Sequence, residues 1–131
     1  MSDYNQKVIE EFRANGGVVG GFPGIVLLHH VGAKSGTERV TPLAAQFDGD
    51  DVVVFASYAG APQHPAWFTN LRANPETVVE VGTETIPVRA RVAEGAERER
   101  LWENQKAALS MFAEYETKTD RVIPVVVLER R

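Results

Sequence analysis

The sequence has no cysteine, no long hydrophobic run and no surplus of positive charge. The absence of cysteine excludes disulfides, zinc–thiolate sites and thiol catalysis. No apolar run approaches the ~20 residues that cross a bilayer, and the polar N-terminus lacks a signal-peptide core. The formal charge of −4 argues against bulk binding of nucleic acid. We therefore expect one cytoplasmic domain, residues 1–131, for which peripheral membrane contact stays open.

Histidine, another common metal ligand, occurs only three times. His29 and His30 are neighbours on a predicted strand, so their side chains point to opposite faces and cannot share one metal ion without distortion. No carboxylate cluster lies beside them in the sequence. His64 precedes Pro65, and we expect it to order its loop rather than to act as a base. The sequence therefore predicts no metal site.

Motifs for nucleophilic catalysis and for nucleotide binding are missing as well. Ser35 and Ser57 do not stand in the G-x-S-x-G context that exposes a catalytic serine. Lys34 and Ser35 are similar to the end of a P-loop, but Ala33 occupies a position where that motif requires glycine. The five glycines of residues 16–24 do not have the spacing of a dinucleotide fingerprint. An enzyme with this sequence would depend on a bound cofactor.

Hydrophobic periodicity and turn signals predict three helices and six strands. The predicted helices cover residues 3–15, 66–74 and 96–118, and the predicted strands cover residues 25–31, 39–47, 51–57, 77–81, 85–92 and 123–128. Most strand connections have hairpin length. This order indicates an antiparallel sheet or a small barrel with helices packed outside, and argues against a doubly wound parallel fold.

One of these connections is the acidic turn of residues 48–51. Asp-Gly between two strand-like runs is a strong hairpin signal. A calcium loop is the sharper alternative, but such a loop requires glutamate at its twelfth position, where Ala59 stands. The pattern therefore favours a turn.

The loop between the first two predicted strands collects positive charge. Gly32 and Gly36 let the backbone turn where residues with a Cβ would resist. Lys34 and Ser35 lie between them and Arg39 follows, so backbone N–H groups, two cations and a hydroxyl share a small volume. This grouping indicates an anion site, with phosphate as the preferred anion. An ordinary solvated hairpin loop is the alternative.

A second glycine-bearing loop, residues 58–65, leads into the short helix that carries Trp67. Together with Lys34 and Arg39, the two loops and their apolar surroundings suit a flat, anionic cofactor. Cofactor-borne redox chemistry requires binding, orientation and exclusion of water rather than a protein nucleophile. Trp67 and Phe68 are equally compatible with core packing.

Several blocks of residues occur in an order far more specific than any single motif. They are residues 32–36 with Arg39, then 41–43, 56–57, 60–67, 70–75, 119–121 and 123–126. These blocks resemble the deazaflavin-dependent nitroreductase family, including its F420H2-dependent quinone reductases, whose members use reduced coenzyme F420. The likeness covers nearly the whole chain.

The resemblance implies a split β-barrel related to flavin-binding oxidoreductases, with residues 1–24 forming an N-terminal helix and a glycine-rich arm. It implies that the phosphate of F420 lies near the first loop. By matching position, the residues that would contact the phosphate and the glutamate tail are Lys34, Ser35, Thr37 and Arg39. Those that would line the deazaflavin ring are Pro42, Ala56, Ser57, Gly60 and Ala61, with Trp67 and Asn70 behind them.

The resemblance also implies where an electron acceptor would enter. It would reach the ring near the glycine-rich arm and the long helix, and the matching positions are Phe22, Ala44, Phe112 and Tyr115. Ser57 or Tyr115 would hydrogen-bond the ring or the acceptor, which makes these two the candidate catalytic residues. The implied reaction is hydride transfer from F420H2 to a quinone, a nitro compound or a conjugated enone.

The chain departs from the family pattern at two positions. Ala33 stands where relatives often carry arginine, and Tyr58 stands where lysine is common. On the substrate side Tyr115 is the one tyrosine, where some relatives have several. A quinone is therefore as good a candidate for the electron acceptor as a nitro compound. Two other functions stay open: a non-catalytic F420 carrier, and an FMN-dependent reductase of the same barrel superfamily.

Overall fold

Six antiparallel strands close into a barrel, with four helices around it, within residues 3–20, 24–57, 63–119 and 121–131, which are those the structure describes. The structure is a computed structural model. In chain order the elements are α1 (Asp3–Ala14), β1 (Ile25–Val31), β2 (Glu38–Asp48), β3 (Asp51–Phe55), α2 (Ala66–Ala73), β4 (Glu76–Val81), β5 (Glu84–Val92), α3 (Gly95–Ala108), α4 (Met111–Lys118) and β6 (Val125–Arg130).

The strands neighbour one another in the order β1–β2–β3–β6–β5–β4, and β4 pairs back onto β1. Every pairing is antiparallel. This closed arrangement confirms the split β-barrel that the resemblance implied. The closing ladder is short, with Leu27 opposite Glu80 and Leu28 opposite Val79.

Strand β3 shows how alternation builds the two sides of the barrel wall. Val52 and Val54 point into the barrel core, while Val53 and Phe55 point outward against α3 and α4. All four side chains are buried, as predicted for a central strand with both faces covered. The outward side of β3 therefore provides the platform on which the C-terminal helices rest.

The single helix predicted over residues 96–118 is wrong, because the chain breaks it at Leu109 and Ser110 into α3 and α4. Leu109 is extended, with φ −135° and ψ 94°. The break turns the chain so that Phe112 packs on Phe55 and Trp102, at ring-centroid distances of 5.8 and 6.2 Å. Burial of this aromatic cluster outweighs the helix propensity of the continuous segment.

The first helix, α1, is held against the barrel by apolar contacts. Ile9 and Phe12 pack on Leu27 of β1. The helix ends before the glycines, as predicted, and the N–H of Gly17, at φ +98°, donates to the carbonyl oxygen of Phe12 at 2.8 Å. A Cβ on Gly17 would lie 2.7 Å from the Cα of Gly82, so this turn requires glycine to approach the β4–β5 hairpin.

The acidic turn between β2 and β3 is a two-residue hairpin, as predicted. Asp48 pairs with Asp51, and Gly49 adopts φ +64°. Asp48 accepts two hydrogen bonds from Arg100 of α3, at 3.1 and 3.2 Å. Within the described residues, no group of three or more histidine, aspartate or glutamate side chains is arranged to hold a metal ion. None of the helices in those ranges has the length and apolarity needed to cross a bilayer.

Candidate functional site

A cavity of about 1210 Å³ lies between the β1–β2 hairpin, α2 and α4. Ligand sites typically measure about 300–1,000 Å³, so this cavity has room for a cofactor-sized molecule. The described residues that line it are Ile25, His30, Gly32, Ala33, Lys34, Ser35, Arg39, Thr41, Leu43, Ala44, Phe55, Ser57, Pro65, Ala66, Trp67, Thr69, Asn70, Leu109, Met111, Phe112 and Tyr115. None of these is a carboxylate, although the chain as a whole carries a net charge of −4.

Most of the residues predicted for the site meet in this cavity. The ones that line it are Lys34, Ser35, Arg39, Ala44, Ser57, Trp67, Asn70, Phe112 and Tyr115. Three further predicted residues, Phe22, Gly60 and Ala61, lie outside the described residues.

Thr37, Pro42 and Ala56 are described but do not reach the cavity wall. Thr37 closes the hairpin, because its carbonyl oxygen accepts the N–H of Gly32 at 2.9 Å. Pro42 pairs with Leu27, on the face of the sheet that packs against α1. Ala56 is fully buried in the barrel core.

One end of the cavity is positively charged. Lys34, Ser35 and Arg39 line it from the hairpin loop, whose turn is closed by the N–H of Gly36 bonding to the carbonyl oxygen of Gly32 at 2.9 Å. Both cationic side chains belong to exposed residues, and neither has an acidic partner within the described part of the chain. Two cations without counter-charges beside a hydroxyl form a site for an anionic group.

A partly buried series of hydrogen bonds ties the hairpin loop to α2. The N–H of Ala33 donates to Oδ1 of Asn70 at 3.0 Å. Nδ2 of Asn70 lies 2.9 Å from Nδ1 of His30, and Nε2 of His30 lies 2.8 Å from Oγ1 of Thr41. Burial, reinforced by Arg39 and then by His29, lowers the pKa of His30 to about 4. His30 is therefore neutral at pH 7.

The prediction missed several of the lining residues, notably His30, Thr41 and Leu43. Strand alternation was the signal that could have found them. Thr41 and Leu43 share a face with Arg39, whereas Pro42 points the other way. The antiparallel register then brings His30 opposite Arg39, on that same face. Alternation cannot supply which residues become the cavity wall, because Ala44, on the opposite face from Leu43, lines it as well.

His29 faces away from the cavity, as the alternation of neighbouring strand residues requires. Its Nε2 lies 2.7 Å from Oε2 of Glu80 on β4. Arg13 of α1 donates to both oxygens of the same carboxylate, at 3.2 and 2.7 Å. Arg13, and after it His29, lowers the pKa of Glu80. This ion cluster fastens α1 to the outside of the barrel.

The middle of the cavity is bordered by the end of β3 and the start of α2. Arg121 orients this border by donating to the carbonyl oxygens of Ala56 at 3.1 Å and Ser57 at 2.8 Å. It also lies 2.9 Å from Nδ1 of His64, which connects the residue before Pro65 to this border. Trp67 lines the cavity and also belongs to the buried core.

The far end of the cavity is apolar and belongs to the chain around the break between α3 and α4. Leu109, Met111, Phe112 and Tyr115 line it, with Ala44 on β2. The Phe112 and Tyr115 rings are 5.2 Å apart in an edge-on arrangement. The Tyr115 hydroxyl donates to Sδ of Met111 at 3.3 Å. This end can accept a flat apolar molecule, while the opposite end accepts an anion.

Comparison with known proteins finds a matching family and similar proteins. A family model described as F420H(2)-dependent quinone reductase matches residues 4–130. The F420H(2)-dependent quinone reductase Rv1261c of Mycobacterium tuberculosis (strain ATCC 25618 / H37Rv) is 38% identical over 128 residues, which cover 92% of this chain and 85% of that protein.

Two solved structures are similar over most of their length. One, described as an F420-H2 dependent reductase (FDR-A), is 43% identical, has a TM-score of 0.75, and is matched over 81% of this chain and 94% of its own. The other, described as a domain-swapped dimer, is 40% identical, has a TM-score of 0.77, and is matched over 95% of this chain and 93% of its own.

Proposed function

This chain belongs to the F420H(2)-dependent quinone reductase family, and from that premise we propose that it transfers a hydride from reduced coenzyme F420 to a small quinone. The observation that carries the proposal is the cavity itself. It has two uncompensated cations at one end, apolar side chains at the other and no carboxylate on its described wall. Such a wall suits a planar molecule with an acidic side arm, which is the chemistry of F420.

The cationic end supports an assignment for the acidic arm of the cofactor. Lys34 and Arg39 would hold its phosphate, with the Ser35 hydroxyl as a further donor. Charge-assisted hydrogen bonds of this kind are about twice as strong as neutral ones. The exposed position of both cations also predicts that binding weakens as salt concentration rises.

The remainder of the cavity supports an assignment for the ring and the acceptor. Trp67 and Asn70 on α2 and Ser57 at the end of β3 border the ring position. Phe112 and Tyr115 on α4, together with Ala44, would receive the quinone. When bound, F420H2 supplies a hydride, and a quinone that gains this hydride and one proton becomes a hydroquinone. The protein contributes proximity, orientation and exclusion of water.

Titration of the purified protein with F420 tests the cationic end. A charge-assisted bond is worth roughly 1.5–3 kcal/mol, so Lys34→Ala and Arg39→Ala should each weaken F420 binding about ten- to a hundredfold. The matched control is Lys106→Ala, because Lys106 lies on α3 and pairs with Glu103 at 3.0 Å and Glu116 at 3.3 Å. Its affinity should equal that of the parent protein. Equal affinity in all four proteins would refute the phosphate assignment.

Turnover then separates an enzyme from a carrier. F420H2 bound to the protein should be oxidised when menadione is added, and the product hydroquinone should appear in equal amount. A protein that binds F420H2 tightly but leaves it reduced would be a carrier. A protein that ignores F420 but copurifies with FMN would be a flavin enzyme of the same fold. Either result would contradict the proposed function.

A further inference from the structure

We propose that His30 is a positioning residue which, through Asn70 and Thr41, makes the Thr41 hydroxyl a fixed hydrogen-bond donor into the cavity. The ligand group that this donor would meet is an acceptor atom of the cofactor, an oxygen or an unprotonated ring nitrogen. The inference deepens the proposed function and rests on it. None of the contacts that carry it involves a group that reacts.

The donor-to-acceptor direction of this series of hydrogen bonds is set first at the backbone of Ala33. A peptide N–H can only donate, so the Asn70 atom that lies 3.0 Å from it must be the carbonyl oxygen Oδ1. The amide nitrogen Nδ2 then faces His30, at 2.9 Å from Nδ1. The orientation of Asn70 is therefore set by the hairpin loop and not by the histidine.

The second step passes through the imidazole ring of His30. An amide nitrogen can only donate, so Nδ1 of His30 must present its lone pair to Asn70. In a neutral imidazole the proton then resides on Nε2. That nitrogen lies 2.8 Å from Oγ1 of Thr41, and the hydroxyl oxygen consequently accepts.

The last step concerns the hydrogen of Thr41 itself. Because Oγ1 accepts from His30, the hydroxyl hydrogen is left for another acceptor, and no second partner for it occurs among the residues described. Thr41 lines the cavity two residues from Arg39 on the same face of β2, between the cations and Leu43. The donor thus stands where the charged end of the cavity gives way to the apolar part.

The arrangement works only while His30 is neutral, and its surroundings keep it so. Burial of the ring disfavours a positive charge on it, and Arg39 and then His29 oppose that charge as well. Asn70 of α2 and Thr41 of β2 are the uncharged groups that bond to it. Among the described residues, no carboxylate that would favour protonation lines this cavity.

Nuclear magnetic resonance of the ring nitrogens tests the direction without any ligand. In the unliganded protein at pH 7, His30 should carry its proton on Nε2 and none on Nδ1. In Asn70→Asp, the carboxylate would accept from both Ala33 and His30, and the proton should appear on Nδ1. A proton on Nδ1 in the unsubstituted protein would overturn the inference.

F420 affinity tests the donor. Thr41→Val keeps the shape of the side chain but removes the hydroxyl, and binding should weaken roughly five- to tenfold, the value of one neutral hydrogen bond. Thr41→Ser retains the hydroxyl and should bind within about twofold of the parent protein. Circular dichroism spectra should match in all three proteins, because β-branched valine preserves the strand.

The outcomes separate this inference from the function on which it rests. If the parent protein and Thr41→Val bind F420 equally, the donor role is refuted and the proposed function stands. If Thr41→Val and Thr41→Ser lose the same affinity, the hydroxyl is not the cause and the inference is also refuted. A parent protein that does not bind F420 would overturn the proposed function itself, and this inference with it.

Discussion

Acidification should destabilise this protein through His30 in a narrow pH range. The residue is only 3% exposed, and its burial, with Arg39 and then His29, lowers the pKa of its side chain to about 4 from the usual 6.5. In the unfolded chain His30 takes up a proton near pH 6.5, whereas in the folded chain it does so only near pH 4. Between these values the unfolded state binds more protons, so stability falls as the pH falls.

The size of the effect follows from the same two pKa values. At about 1.4 kcal/mol per pH unit, the stabilisation that His30 provides at pH 7 and loses by pH 4 is on the order of 3 kcal/mol. The stabilisation is fully present above pH 6.5. A loss of this size is a large part of the 5–15 kcal/mol that typically separates folded from unfolded states.

Urea unfolding at several pH values between 4 and 7.5 measures the effect in the parent protein and in His30→Gln. The glutamine cannot titrate, so the free energy of unfolding of His30→Gln should fall less than that of the parent protein as the pH is lowered. The two curves should therefore converge toward pH 4. Carboxylates such as Glu80 contribute to both proteins and cancel in the difference. His64→Gln is a second test of the same reasoning: burial, then Arg121 and Arg72, also lowers the pKa of His64, so this variant should change the pH dependence in the same direction. Parallel curves for the parent protein and His30→Gln would refute the reasoning.

Two other substitutions test the outer cluster and the acceptor end. Glu80→Gln should lower the free energy of unfolding by about 1–2 kcal/mol, because a half-buried carboxylate loses its bonds to Arg13 and His29. Glu76→Gln on the same strand, whose partners are exposed, should change it by less than about 0.5 kcal/mol. Equal losses for the two variants in urea unfolding would contradict this. Phe112→Leu should raise the KM for menadione while leaving F420 affinity unchanged, because Phe112 lies on α4 beside Tyr115 and Met111, away from the hairpin loop with Lys34 and Arg39. A fall in F420 affinity would reassign that end to the cofactor.

The antiparallel strand order was predictable because its determinants are local. Alternating apolar residues and short turns with glycine indicate hairpins, and hairpins in series make an antiparallel sheet. Asp48 to Asp51 forms the expected tight turn, and β3 is buried on both faces as its run of valines indicated. Closure of the sheet was reached only through the family resemblance, because local patterns do not distinguish an open sheet from a barrel.

The break between α3 and α4 was not predictable in the same way. Residues 96–118 contain no glycine or proline, so no local signal ends the helix. The chain breaks because Phe112 gains burial beside Phe55, a residue of β3 more than fifty positions earlier in the chain. Tertiary burial of this kind commonly decides where helices stop when propensity does not.

In the candidate site, too, one part was predictable from the local sequence and another part was not. Lys34, Ser35 and Arg39 come from one loop, and a local pattern of glycine, cation and hydroxyl was enough to indicate an anion site. The series of hydrogen bonds behind them joins residues from separate elements, and its direction depends on one amide. Because Asn70 lies thirty-seven positions after the Ala33 N–H that orients it, the residue types alone leave the direction undetermined. Only the fold, which brings Ala33 and Asn70 together, decides whether the Thr41 hydroxyl donates into the cavity, and therefore which kind of ligand atom it can bind there.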